Sequence, residues 1–331
     1  MGRETKRMTR KASAWGVAAV ALIALLGLAA PGASANETLR VGRAQAEPID
    51  FTPPEVGMAK GFFQKHGVDI ELVNFAGAAK QQQALVAEGV DIGLGGGPEM
   101  STVAKGTPVV AIAAYAGRPD GLVLVAGANG PVKTVADLKG RKVSVSSVGS
   151  LTEWTTRELA RHEGWGPDGI NVVFLGDIAG QIAAIKTQQI DAMSSDVATA
   201  ARLERDGIGH TVVNFGTIIP DFIVHIIYAT KKVTEQRPET VRGFLAGWFE
   251  TIAWMKANKD ETVKLIAPIM HQSPEIANKA YDAVMPTFSD TGRFEPKAVA
   301  VLSRSFVQMN LLPTEPNMSK LYTEKFLPGH S

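Results

Sequence analysis

The sequence predicts an α/β protein of two lobes, each a sheet rich in parallel strands and flanked by helices. Three observations carry that prediction. Short apolar runs with period-two alternation are followed repeatedly by stretches of helical periodicity. The loops that lead from strand to helix are short and built of small residues. The pattern ALVAEGVDIGLGGGPEMSTVAKG (Ala84 to Gly106) is echoed by AIKTQQIDAMSSDVATAARLERDG (Ala184 to Gly207), with Asp91 and Asp191 in matching places, which favours two related halves.

Taken in order, strands are expected over Leu39–Ala44, Val68–Phe75, Val90–Leu94 and Val109–Tyr115, separated by helices over Pro53–Lys65, Ala78–Glu88 and Pro98–Lys105. A further strand is read at Gly121–Val125, and the Gly/Asn/Pro stretch Gly127–Pro131 is expected to cross between lobes. The second half repeats the theme with strands at Lys142–Ser147, Ile170–Leu175, Ile190–Met193 and His210–Phe215. Its helices are read at Ser150–Trp165, Ile178–Gln189 and Val197–Asp206. Phe222–Thr230 is expected to be the return crossing. From Pro238 onward only helices are read: Glu239–Ala257, Asp260–Met270, Pro274–Val284, Pro296–Asn310 and a short one from Asn317. Without strands of their own they should wrap the lobes, with Phe244, Trp248, Phe249, Trp254 and Met255 as core rather than as a cofactor site. The expected domains are 36–125 with 218–331 for the first lobe and its C-terminal helices, and 126–217 for the second.

The first 35 residues form a separate expectation. Arg3, Lys6, Arg7, Arg10 and Lys11 make a basic head, Trp15–Ala30 is an apolar run, and Ala33-Ser34-Ala35 fits a cleavage site, so a secretory signal peptide ending before Asn36 is read there. Removing it takes five basic residues and one acid from 34 and 33, leaving 29 against 32, a net charge of −3. That balance is unlike a nucleic-acid binder. No cysteine is present, which excludes disulfides, thiolate metal sites and cysteine nucleophiles.

Catalytic arrangements are mostly missing. The six histidines are scattered without HExxH spacing, no GxSxG elbow occurs, and no GxxxxGK[ST] phosphate loop is present, so ATP hydrolysis by this chain is not expected. The run Gly93-Leu94-Gly95-Gly96-Gly97-Pro98 has proline where a dinucleotide fingerprint needs its last glycine; it reads as close backbone approach to a small ligand or as a tight turn. What remains are small-residue loops at strand carboxyl ends, Ala76–Ala79, Gly95–Glu99, Ser146–Thr152, Gly176–Gln181 and Ser194–Val197, at the edge where open α/β sheets bind ligands. The stretch Ser146-Ser147-Val148-Gly149-Ser150 is the most distinct. Ser150 with Glu153 makes a capping box, and the free amides of the helix's first turn could also meet a ligand. Aromatic wall candidates are Phe51, Tyr115, Trp154 and Phe222, with core packing the favoured reading of each taken singly.

Four segments carry a resemblance to a known family: AKGFFQKHGVDIELVNF (Ala59–Phe75), EGVDIGLGG (Glu88–Gly96), DLKGRKVSVSSVGS (Asp137–Ser150) and QQIDAM (Gln188–Met193). In that order they resemble the periplasmic substrate-binding proteins of ABC importers of the nitrate, sulfonate, taurine and thiamine-precursor type. The resemblance implies a two-lobed type II periplasmic-binding-protein fold. It further implies a periplasmic protein that captures a small molecule in an interlobe cleft and hands it to a membrane permease energised by a separate ATPase. The expected ligand-binding set is Gln45, Phe51, Gly96, Gly97, Tyr115, Ser147, Gly149, Ser150, Thr152, Asp196 and Phe222, with Gln181 as a further amide. No cofactor, metal or nucleic acid is expected, and the chain is expected to be monomeric.

The ligand is read as a small polar or anionic organic solute, a sulfonate or carboxylate, because helix amino ends favour anions. Glu99, Asp177 and Asp196 stand against that reading if they face the cleft, and would then favour a ligand with donor groups; as helix caps they would be neutral to the question. Two other classes fit the same sequence: an enzyme on the bilobal fold that uses a carboxylate such as Asp196 or Glu99, and a sensor module that presents its ligand to a receptor.

Overall fold

The structure is a computed structural model that describes residues 36–329; the expected leader lies outside them. The first sheet contains β1 (Glu37–Arg43), β2 (Val68–Asn74), β3 (Ile92–Gly96), β4 (Val109–Ala116) and β10 (His225–Thr230) in the order β2-β1-β3-β10-β4. The second contains β5 (Leu122–Gly127), β6 (Lys142–Val145), β7 (Asn171–Phe174), β8 (Ala192–Asp196) and β9 (Gly209–Asn214) in the order β7-β6-β8-β5-β9. The orders are equivalent. In each sheet two strands run parallel to a central one, and one strand, β10 or β5, runs antiparallel to both its neighbours.

The helices of the first lobe are α1 (Pro53–Lys60), α2 (Phe62–Lys65), α3 (Ala78–Val86) and α4 (Met100–Ala104). Those of the second are α5 (Leu151–His162), α6 (Ile178–Lys186) and α7 (Val197–Arg205). After β10 come α8 (Lys231–Gln236), α9 (Pro238–Ala257), α10 (Lys259–Ile269), α11 (Pro274–Val284) and α12 (Pro296–Gln308). Proline opens α1, α9, α11 and α12, where its missing N–H costs nothing and its fixed φ suits the first turn. The helical stretch expected over 53–65 is broken at Gly61, which ends α1 at φ 73°. The segment from Pro98 begins as a 3-10 turn, Gly97–Glu99, and the terminal helix expected from Asn317 is a single 3-10 turn, Met318–Lys320.

Two expectations about the crossings are corrected. The strand read at Gly121–Val125 pairs with β8 and β9, so the chain changes lobe before Leu122 and not at Gly127–Pro131. The run Phe222–Thr230 is a crossing only in its first residues, because His225–Thr230 is β10, bonded between β3 and β4. Both strands are apolar and extended, and their own sequence carries no information on which sheet will accept them.

Period-two alternation sorts the second sheet. Leu124 and Ala126 of β5 join the large core shared with the first lobe, whereas Val123 and Val125 join a smaller one with Ile185, Met193 and Leu203. The C-terminal helices do wrap: α9 packs on α1 and α2, while α11 packs on α7 of the second lobe. Phe244, Trp248, Phe249 and Met255 are buried core as read; Trp254 is only partly buried, with the Lys60 ammonium 4.2 Å from its ring centre.

Candidate functional site

The carboxyl ends of the two sheets meet around a cavity of about 60 Å³. The first lobe supplies Ala44, Gln45, Pro48, Asp50 and Phe51 beyond β1, Ala78 at α3, Gly96 and Glu99 beyond β3, and His225 at the start of β10. The second supplies Leu122, Ser146, Ser150, Leu151, Thr152, Ile178, Ser194, Ser195 and Asp196. The lobes touch here: a Cβ added at Gly96 would lie 3.0 Å from that of Leu151.

On the second lobe the geometry is that of helix starts. Ser150 caps α5, its Oγ accepting the Glu153 N–H at 3.3 Å. The Glu153 carboxylate answers not to the Ser150 amide but to the Gly149 N–H, at 2.7 Å, with Gly149 at φ 77°. The Thr152 hydroxyl accepts the Ser146 N–H at 3.0 Å and lies 3.1 Å from the hydroxyls of both Ser146 and Ser150. Asp196 caps α7, its Oδ1 accepting from Ala198 and Thr199 at 2.9 and 3.0 Å. Its Oδ2 is buried with no hydrogen-bond partner in the protein, as are the hydroxyls of Ser194 and Ser195.

On the first lobe the wall is built of titratable groups. The Glu99 carboxylate reaches back to the Gly96 N–H at 2.9 Å, and the Gln82 amide donates to it at 3.4 Å. Burial outweighs those bonds and pushes the Glu99 carboxyl up to about 8. Asp50 sits on the 3-10 turn Ile49–Phe51, where burial first and the Asp196 charge second push it up to about 7. His225 Nε2 lies 3.6 Å from Asp50 Oδ1, its ring is edge-on to Phe51 at 4.9 Å, and burial pulls it down to about 4. The histidine is therefore neutral at pH 7, and its Nδ1 has no partner in the protein.

Of the residues read from the sequence, Gln45, Phe51, Gly96, Ser150, Thr152 and Asp196 line the cavity together, and Glu99 joins them. The others do not. Tyr115 is core: its ring stacks on His225 from behind at 5.4 Å and meets Trp248 edge-on at 4.9 Å. Phe222 is core as well, stacked on Trp154 at 4.0 Å, and the Trp154 indole N–H donates to Gln308 of α12 at 3.2 Å. Gly97 is glycine because a Cβ there would collide with the Ile223 carbonyl, and Gly95 because one would collide with the Glu99 carboxylate. The glycine run thus serves close approach by the protein itself. Ser147 and Gly149 shape the turn before α5; the Ser147 carbonyl accepts the Ser150 N–H. Asp177 is a plain cap, accepting the Gly180 N–H at 2.7 Å, and Gln181 is committed within its lobe to Ser144 and Gly176.

The sequence reading missed Asp50, His225, Ser146, Ser194 and Ser195. Ser146, Ser194 and Ser195 stood in loops already singled out at strand ends, so position could have found them. Asp50 and His225 are far apart in the chain and meet only because β10 inserts beside β3. Among the described residues no group of three His, Asp or Glu side chains has metal-holding geometry.

Comparison with known proteins agrees with this architecture. Residues 49–262 match the family model described as NMT1/THI5 like. An aliphatic sulfonates-binding protein of Escherichia coli (strain K12) is 26% identical over 220 residues, 66% of this chain and 67% of the relative. Other curated relatives are matched over two thirds of their own length or less. Among solved structures, the alkanesulfonate-binding protein SsuA from Xanthomonas axonopodis pv. citri bound to MOPS superposes with a TM-score of 0.76 at 16% identity, covering 88% of this chain and 99% of that one. The desulfurization enzyme DSZB has a TM-score of 0.64 at 16% identity, with 88% and 97% covered, so the fold hosts both binding and catalysis. With the two equivalent sheets, the cavity between them and a family match over most of both lobes, the chain belongs to the NMT1/THI5 like family and has the two-lobed periplasmic-binding-protein fold.

Proposed function

We propose that this chain is a periplasmic solute-binding protein of an ABC importer. It captures a small polar organic solute between its lobes, works as a monomer, and delivers the solute to a membrane permease energised by a separate ATPase. The observation that carries this reading is the cavity at the carboxyl edges of both sheets, lined by side chains of each lobe, where closure of one lobe on the other would desolvate a ligand on all sides. Gln45, Phe51, Ser150, Thr152 and Asp196 are the proposed contacts, joined by Asp50, Glu99 and His225. The test is thermal denaturation of the chain from Asn36 with a panel of sulfonates, carboxylates, nitrate, amines and heterocycles. A solute at a hundredfold its Kd adds about 2.7 kcal/mol of stability. The reading fails if no compound shifts the transition, or if the one that does is chemically altered on incubation.

That last outcome would favour the second reading, an enzyme on the same fold. Its support is specific: two buried carboxyls, at about 7 and about 8, lie in the range where a general acid or base works. Product analysis by mass spectrometry after prolonged incubation separates the two readings.

A further inference from the structure

We infer that the solute taken into this cavity is a small organic cation, an ammonium or amidinium group on a compact frame, bound by Asp196 and Asp50, and not a sulfonate, nitrate or carboxylate. The inference rests on the capture reading above and names its solute class.

Three carboxyls line the cavity, Asp50, Glu99 and Asp196, and no lysine or arginine lines it. The buried arginine nearest in sequence, Arg43, is spent elsewhere. Its guanidinium donates to the Phe51 carbonyl at 2.9 Å, to Glu55 at 2.6 Å and to Asn74 at 2.9 Å. An anion would therefore meet hydroxyls and amides but no countercharge, beside a carboxylate. At about 4 Å and an effective dielectric near 20 such a like-charge contact disfavours binding by about a thousandfold, and an opposite charge gains by the same factor.

The unpartnered groups point the same way. Asp196 is only 5% exposed; its Oδ1 is filled by the amides of α7, while Oδ2 is buried without a protein partner. Ionised, an aspartate oxygen can only accept, so what completes Oδ2 must bring a donor. His225 Nδ1, also unpartnered, can accept from the same molecule when Nε2 carries the proton, while the free Ser194 and Ser195 hydroxyls can accept or donate and suit either charge. Where a buried carboxyl has no cation beside it, a proton takes that role, which is the condition of Asp50 and Glu99. A ligand cation would displace those protons.

Size sets the frame. At about 60 Å³ the cavity has room for a few waters, each needing about 10–15 Å³ of such space, and so for a compact head group. Ala78 and Glu99 also line a neighbouring groove of about 480 Å³ with Val86, Val148 and Leu311, which gives room for an apolar remainder.

The experiment is calorimetric and thermal titration of the chain from Asn36 with methylammonium, guanidinium, acetamidine and benzamidine, against ethanesulfonate, MOPS, nitrate and acetate. At least one cation is expected to bind and the anions are not. Asp196→Asn, which can still cap α7, should weaken the cation at least a hundredfold while the melting temperature without solute stays within a few degrees. Asp50→Asn is the second variant, should the first not fold. Affinity should rise between pH 6 and 8.5, since binding expels protons from Asp50 and Glu99. The titratable groups facing them are His225, Asp196 and Tyr115 for Asp50, and Tyr115 and Tyr228 for Glu99. An anion that binds while the cations do not overturns the inference and leaves the capture reading standing. So does a cation whose affinity is untouched in both variants. Silence from every compound overturns both.

Discussion

At the end of its third strand the first lobe carries Gly96 where the second carries Asp196, and the two lobes part company there. Up to that point they are built alike. The Arg40 amide donates to Asp91 at 2.9 Å in the first, and the Lys142 amide donates to Asp191 at 2.8 Å in the second. Glu88 and Gln188 both take left-handed φ values, 57° and 56°, just before the equivalent strands. Phe75 and Leu175 bond back to the carbonyls of Arg43 and Val145 in the same way. Beyond the strand, Asp196 caps its helix directly, whereas Glu99 must reach back over Gly95 and Gly96 to an amide. One scaffold used twice thus yields an asymmetric site, with a wall of hydroxyls and one helix-capping carboxylate on one side, and a wall of buried titratable groups on the other.

The asymmetry most costly to erase is Trp154, which the second lobe alone stacks on the crossing segment and ties to α12. Trp154→Ala should destabilise by about 3–5 kcal/mol in denaturant melts. A smaller loss would mean that the contact between second lobe and C-terminal helices is weaker than its geometry. The matched acids come next. Burial alone would raise the Asp91 carboxyl, but bonds from Arg40 and the charge of Arg237 hold it below the usual carboxylate range. Asp191 has the amide bond without such a network. Asp91→Ala should cost about 2–3 kcal/mol and Asp191→Ala about 1–2; equal losses would show that the arginines add nothing.

The pH dependence of stability tests the titratable wall. Asp50 and Glu99 have folded values of about 7 and 8, above their ordinary 3.8 and 4.5, so the folded state holds the extra protons. Their contribution is full below about pH 4 and is lost as pH rises through 7 and 8. His225, lowered from 6.5 to about 4, works in the opposite sense, losing stability as pH falls from 6.5 to 4. Above 6.5 only the acids act. Stability should fall from pH 6.5 to 8, by up to about 1.4 kcal/mol per unit for each acid, and the double variant Asp50→Asn with Glu99→Gln should flatten the slope. A profile unchanged by that variant would return the titration to other groups. The smallest effect is expected at the second lobe's cap: Asp196→Ala should cost about 1 kcal/mol and Asp196→Asn close to nothing.

Much of this was legible in the chain. Alternating strands and helices, the Ser150 cap of α5, the echo between Asp91 and Asp191, and the small-residue loops at strand ends are local patterns, and most stand where the sequence put them; the capping box does not, because Glu153 turns to the Gly149 amide. The loops at Ser146–Thr152, Gly95–Glu99 and Ser194–Val197 do form the cavity rim. Legibility failed where a residue's role depends on what arrives from elsewhere. Tyr115 and Phe222 carry the same apolar signal whether they face a ligand or a core, and packing on Trp248 and Trp154 decided for the core. Gly97 could have faced a solute, but a carbonyl from the return crossing fills that place.

The sequence by itself determined the elements, their caps and the twofold use of one topology, because hydrogen-bond periodicity and helix-end chemistry act within a few residues. Only the tertiary structure decided that β5 and β10 exchange lobes, that His225 comes to rest beside Asp50, and that three carboxyls share one cavity without a lysine or arginine to answer them. Those outcomes depend on long-range pairing and on burial, and the charge of a carboxyl is set by the surroundings that burial gives it.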